Sequence, residues 1–304
     1  MQRVTAVIAL KGKLPSHWRS MVSAYMNLVK PHVTVLLLGT TLAAMVVAAG
    51  ELPSVGLVLA TLLGGAMAAG GANAINCYYD RDIDQIMSRT RNRTLPAQRL
   101  KHSHALIFGL GLGVASAIIF LRFVNALSAF LSVSALLFYV IVYTMWLKRT
   151  TPQNIVIGGA AGAVPVLVGW AAVANTISLT SLWMFVIIFL WTPPHFWALS
   201  LLLKKDYARA HIPMLPVVAG ENATYRQIIL YTLLLVAASL ILFGIHAMGY
   251  LYLVAAIGLG AGLLALAILL ACRRSQKQAR VMFWFSNYYL ALIFAVMVID
   301  RTLR

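Results

Sequence analysis

The chain has 304 residues, of which 62% are hydrophobic and only 10% charged, with a mean hydropathy of +0.87. It is far more apolar than a water-soluble globular domain and is expected to be an integral membrane protein. A formal net charge of +17 would suit nucleic acid, but the basic residues lie in short loops between apolar runs, with no basic face, so nucleic-acid binding is excluded and the charge reports topology and anionic ligands.

From the N-terminus, residues 1–32 carry Arg3, Lys11, Lys13, Arg19 and Lys30 and no acid. The longest apolar run there, Ala6 to Leu10, is too short for a signal peptide, so this tail is expected in the cytoplasm. Trp18 to Leu28 reads either as a helix lying flat on the membrane or as part of an unstructured tail. Runs long enough to cross ~30 Å of hydrocarbon then recur at about 33–50, 54–77, 104–121, 124–145, 154–174, 179–202, 225–245, 248–271 and 281–299. The expected fold is all-α, a single membrane domain over 1–304 with nine transmembrane helices between 33 and 299. With the N-terminus inside, 21 of the 24 Lys and Arg fall on the inner side and only Arg122, Arg301 and Arg304 on the outer. That bias orients the chain by the positive-inside rule and puts the long polar loops, and the chemistry, on the cytoplasmic face. Cys77 and Cys272 fall at inner span ends, where a bacterial-type cytoplasm keeps thiols reduced.

The second span runs into Asn73-Ala-Ile-Asn76-Cys-Tyr-Tyr-Asp80-Arg-Asp82-Ile-Asp84, which holds three of the seven carboxylates. Asn76, Asp80 and Asp84 recur every fourth residue, so a helix puts their oxygens on one stripe. Hard oxygen donors of this kind suit Mg²⁺, which takes one or two carboxylates and fills its remaining positions with water and substrate phosphate; a diphosphate is the implied partner. Around the stripe stand cations: Arg81 within it, Arg89, Arg91 and Arg93 in the next loop, Lys148 and Arg149 at the end of span four, and Lys204 and Lys205 at the end of span six. Arginine forks and lysine point charges suit oxyanions. Arg273, Arg274, Lys277 and Arg280, with no acid or aromatic beside them, read as topology signals alone.

Lys204-Lys205-Asp206-Tyr207 ends span six as the acidic stripe ends span two, four spans later in the same direction. This coarse repeat implies two four-helix halves facing each other across a cavity open to the cytoplasm. Span six also carries Trp191-Thr-Pro193-Pro194-His195-Phe196-Trp197, where two prolines are expected to break the helix. His195 there is either a hydrogen-bonded core residue or faces a flat aromatic ligand or its metal. Gly158, Gly159 and Gly162 in span five are expected to permit close helix contact.

Together NCYYDRDID, RTRNRTLP, YTMWLKR, TPPHFWAL and KKDYARAHIPMLPV resemble the protohaem IX farnesyltransferase branch of the UbiA-type intramembrane prenyltransferases, over roughly residues 25–300. The Asn-x-x-x-Asp-x-x-x-Asp ladder is shared by the wider superfamily, and TPPHFWAL and DYARAHIPMLP carry the likeness to the haem branch. Ala210 stands where other branches have a second aspartate, leaving Asp206 alone in that register, which counts against quinone or chlorophyll prenylation. The resemblance implies farnesyl transfer from farnesyl diphosphate to a vinyl group of haem b with addition of water, giving haem O for haem-copper oxidases, with Mg²⁺ as cofactor. Its metal ligands would be Asn76, Asp80 and Asp84. Asn73, Arg81, Arg89, Arg93, Lys148, Arg149 and Lys205 would bind diphosphate. Asp80, Asp84, Asp206, Lys148 and Tyr143 would be catalytic, with Tyr78, Tyr79 and Tyr143 shielding a farnesyl cation, and His195 would bind haem. It further implies a bacterial cytoplasmic membrane location and a downstream link to haem A synthase or terminal-oxidase assembly. Rival readings are prenylation of a quinone precursor, a transporter with paired halves, and a haem-assembly protein without catalysis.

Overall fold

The computed structural model describes residues 16–304 and is helical throughout the membrane-spanning part. Arg3, Lys11 and Lys13 of the expected cytoplasmic tail lie outside the described residues. α1 (Ser16–Val29) precedes the first span. It is neither loose nor merely laid on a membrane: Leu28 and Ala24 are buried against the protein, and Thr94 Oγ1 donates to Ala24 O at 3.1 Å. Its other side leaves Trp18, Val22 and Met26 exposed. Lys30 then turns the chain in the left-handed region, φ 49°, a rare conformation outside glycine, so that Pro31 can start the next helix.

Nine helices among the described residues are long and apolar enough to span a membrane. They are α2 (Pro31–Ala49), α3 (Val55–Tyr79), α5 (His102–Phe123), a composite of α6 (Ala126–Leu137), a π-helical segment (Phe138–Leu147) and α7 (Lys148–Thr150), then α8 (Asn154–Ala174), α9 (Leu179–Leu202), α12 (Gly220–Gly244), α13 (Tyr250–Arg273) and α14 (Gln276–Thr302). Short α4 (Arg81–Ile86), α10 (Lys204–Arg209) and α11 (Leu215–Val218) lie in the loops that follow α3 and α9. Large apolar side chains such as Val35, Leu59, Ile107, Phe130 and Val254 point outward, as the rim of a membrane bundle requires.

Each expected span is present. Successive helices pack side by side, α2 and α8 pack across the bundle, and α14 closes the ring against α9 and α2. Small residues set the closest approaches, since helices in lipid associate by fit rather than by expelling water. A Cβ on Gly71 would sit 2.7 Å from Gly109 O on α5, and Ser116 Oγ donates to Gly64 O at 2.7 Å. At the α2–α8 crossing a Cβ on Gly169 would collide with Thr41 O.

Two expectations are corrected here. α9 runs unbroken through Pro193 and Pro194, because missing backbone donors interrupt hydrogen bonds without forcing a gap when neighbouring helices hold the segment; Thr192 Oγ1 meanwhile bonds Ile188 O at 2.9 Å. Gly162 permits no helix contact: a Cβ there would meet nothing within 4 Å, whereas Gly158 and Gly159 press against Tyr143 and Thr192.

Candidate active site

A cavity of about 970 Å³ is walled by α2, α3, the π-helical segment, α8, α9 and α14. Asn76, Asp80 and Asp84 converge on it, each nearly buried. They do not lie on one uninterrupted helix: α3 ends at Tyr79, Asp80 is the junction residue, and α4 begins at Arg81. The stripe survives because the i+4 backbone bonds continue across the junction, from Asp80 N to Asn76 O at 2.9 Å and from Asp84 N to Asp80 O at 2.8 Å.

Asp80 Oδ2 accepts from Asn76 Nδ2 at 2.7 Å and from the Lys148 ammonium. Asp80 Oδ1 is buried and accepts no hydrogen bond, the Arg149 guanidinium standing 4.0 Å from it. Asp84 is bracketed by Arg93 Nη1, at 3.2 and 3.1 Å from its two oxygens. Among the described residues no three His, Cys, Asp or Glu side chains form a closed metal-binding group. Two carboxylates and one amide, with an orphaned carboxylate oxygen that burial penalises, nevertheless fit a divalent cation whose other ligands come from a phosphate substrate. Sequence reasoning missed Lys30, whose Nζ donates to Asn76 Oδ1 at 3.1 Å from the cavity wall. Burial pushes its pKa below the ordinary lysine value. Its only sequence signal was a basic residue before the proline that opens a span, read as topology.

Of the expected diphosphate ligands, Asn73, Arg89, Arg93 and Lys148 line the cavity. Arg81, Arg149 and Lys205 do not. Arg81 folds back over the Tyr78 ring, 4.6 Å from its centroid, and donates to Tyr78 O at 2.7 Å. Arg149 makes a two-pronged bond to Asp82, both prongs 2.7 Å, on the exposed rim, which draws the Asp82 carboxyl below its usual pKa. Lys205 is exposed. Tyr78 and Tyr79 also lie off the cavity wall, stacked edge to face on one another at 5.4 Å.

Tyr143 does line the cavity, joined by Tyr139, which sequence reading missed. The cause is the π-helical stretch. Its i→i+5 pattern, seen in the backbone bond from Lys148 N to Tyr143 O, sets residues about five apart on one side. Tyr139, Tyr143 and Lys148 thereby reach the cavity wall, and Thr144 Oγ1, which donates to Tyr139 O at 2.9 Å, accepts from Asn76 Nδ2 at 3.1 Å. No proline, glycine or charge marks this segment in the sequence.

Asp206 is placed elsewhere. It is buried but does not line the cavity; Ser88 Oγ bridges its two oxygens at 2.9 and 2.7 Å and Arg209 completes an ion pair. The Ser88 bond, and then Arg209, hold its carboxyl below the ordinary value. Together with Arg89 Nη2 on Tyr207 OH at 3.3 Å, it ties the loop after α3 to the loop after α9.

Away from the charged residues the wall turns apolar and aromatic. His195 is sandwiched between Trp191, at 4.3 Å, and Phe283, at 4.7 Å, with Phe196 edge-on at 5.2 Å. Trp197 is instead turned into the core against Tyr231.

Residues 37–289 match the UbiA prenyltransferase family. The chain is 51% identical over 277 residues to a protohaem IX farnesyltransferase of Gloeobacter violaceus, covering 91% of each chain. Its fold is similar to that of digeranylgeranylglyceryl phosphate synthase, with a TM-score of 0.78 at 15% identity over 93% of this chain and 99% of the other. A UbiA homologue from Archaeoglobus fulgidus bound to GPP and Mg²⁺ gives a TM-score of 0.66 at 15% identity, over 90% of this chain and 99% of that one.

Proposed function

This chain belongs to the UbiA prenyltransferase family, and on that premise we propose that it transfers the farnesyl group of farnesyl diphosphate to a vinyl group of haem b with addition of water, giving haem O and diphosphate. The observation that carries the reading is the two-ended cavity. Lys30, Arg89, Arg93 and Lys148 stand with Asp80 and Asp84 at one end, and an aromatic slot around His195 forms the other. A prenyl diphosphate needs the first, and a flat, mostly apolar porphyrin needs the second.

Asp80 and Asp84, with Asn76 beside them, would hold Mg²⁺, whose chemistry when bound is to neutralise charge on the departing diphosphate. Lys148, Arg89 and Arg93 donate to the diphosphate oxygens from fixed positions, stabilising the charge that builds as the allylic C–O bond breaks. The Tyr139 and Tyr143 rings flank that carbon, where a cation gains about 2 kcal/mol from a desolvated aromatic face. Leu36, Leu37, Pro165 and Val168 line the stretch that takes the farnesyl tail and keeps water from it. The protein sits in the bacterial cytoplasmic membrane as one domain, with its N-terminus and site toward the cytoplasm, and its product passes to haem A synthase or to terminal-oxidase assembly.

Incubating the purified protein with haem b, farnesyl diphosphate and Mg²⁺ should give a product heavier than haem b by a farnesyl group plus a hydroxyl, the second proton of the added water being released, and none when Mg²⁺ is chelated. Flux of substrate across vesicles without diphosphate release would overturn the reading in favour of transport, and product from a quinone precursor in place of haem would reassign the acceptor. A C-terminal alkaline phosphatase fusion should be active and a C-terminal GFP fusion dark; the reverse pair would invert the topology.

A further inference from the structure

One edge of the His195 ring is fixed by a residue of the last helix. Nδ1 lies 2.8 Å from Ser286 Oγ, and that hydroxyl lies 2.7 Å from Phe283 O. A serine hydroxyl has one hydrogen and a carbonyl oxygen has none to give. With the hydroxyl hydrogen on Phe283 O, Ser286 Oγ meets Nδ1 as an acceptor, so the ring proton sits on Nδ1 and Nε2 keeps its lone pair. Trp191 and Phe283 cover both ring faces. Nε2 has no hydrogen-bond partner among the described residues, yet it is not one of the sealed orphan atoms, and His195, only 7% exposed, lies on the cavity wall. The open edge of the ring is thus the Nε2 edge.

We infer that Ser286 is a positioning residue, which holds His195 as its Nδ1–H tautomer in one orientation and so presents the Nε2 lone pair to the haem iron as an axial ligand. The identity of the acceptor rests on the proposed function, whereas the tautomer does not. An imidazole that donates its second ring N–H to a fixed partner is a better oriented and more basic metal ligand. Trp191 reinforces the arrangement, since its Nε1 donates to Ser286 O at 2.6 Å and ties the stacking ring to the same residue. The acceptor's ligand is thereby set by α9 and α14, remote in sequence from the α3 and α4 residues that face the diphosphate.

Ser286→Ala removes the hydroxyl but leaves the carbonyl that Trp191 uses, Ser286→Thr keeps a hydroxyl, and His195→Ala removes the ligand. Imidazole ¹⁵N spectra of the detergent-solubilised protein without haem, assigned by the signal missing in His195→Ala, should show Nδ1 protonated and Nε2 bare in the parent, and a mixture in Ser286→Ala. A protonated Nε2 in the parent overturns the inference whatever the enzyme does. Titration with ferric haem b should give an imidazole-ligated Soret band that His195→Ala loses. Ser286→Ala should weaken haem binding about 10- to 100-fold and Ser286→Thr restore it, with farnesyl diphosphate affinity unchanged throughout. Equal haem affinity in parent and Ser286→Ala overturns the positioning role alone; a parent that binds no haem overturns the functional reading and the ligation together.

Discussion

The chain leaving α3 and the chain leaving α9 each carry a buried aspartate, yet the two are bonded differently. Asp80 faces the cavity with one oxygen that accepts no hydrogen bond, the Arg149 guanidinium standing 4.0 Å from it, and with Asn76 and a lysine on the other. Asp206 stands off the cavity with both oxygens bound by Ser88 and an arginine on its exposed side. A buried carboxylate oxygen without a hydrogen bond is where a ligand would complete the site, and Asp206 offers no such oxygen. Both aspartates are buried and paired with a cation; the hydrogen bond missing from Asp80 Oδ1 and its place on the cavity wall separate them.

The largest effect should follow from Asp80→Ala, which removes the cation-binding oxygen: haem O formation falls by about 10²- to 10³-fold or more, while the helical circular dichroism stays at the parental level, because Lys148 retains some access to water. Turnover near the parental rate would mean that the orphaned oxygen is incidental. Arg93→Ala should lower turnover about 10- to 100-fold through loss of a charge-assisted bond. Arg81→Ala and Lys205→Ala, both off the cavity, should stay within about twofold. The same loss in all three would show that the cations act through general positive potential rather than by position.

Asp206→Ala should act first on stability, lowering it by about 1 to 3 kcal/mol and activity only through the loosened loops. Asp206→Asn should fall between, since it keeps an acceptor for Ser88. The sign of the pH dependence follows from the depressed carboxyl. Its contribution is present above the ordinary carboxylate value of about 3.9 and is lost as pH falls toward the lower folded value, so the melting-temperature gap between parent and Asp206→Ala should be full at pH 7 and narrow below about pH 4. A gap independent of pH would remove the ion pair from the account, and a loss of turnover as deep as that of Asp80→Ala would return Asp206 to the site.

Span number, span order and the Asn76–Asp80–Asp84 stripe were legible because they rest on local rules: apolar length against bilayer thickness, and helical repeat against residue spacing. Lys148, Arg89, Arg93 and His195 were also found as residue types in suggestive company. Lys30, Tyr139, Thr144, Ser88 and Ser286 were not, since each gains its role from a partner 46 to 118 residues away or from a π-helical stretch that no residue announces. The sequence by itself determined a multi-pass helical membrane protein with a hard-ligand stripe at the end of its second span. Only the tertiary structure decided which cations turn into the cavity, which aspartate is left with an oxygen that accepts no hydrogen bond and which edge of the histidine is open, because those depend on what the rest of the bundle places against each side chain.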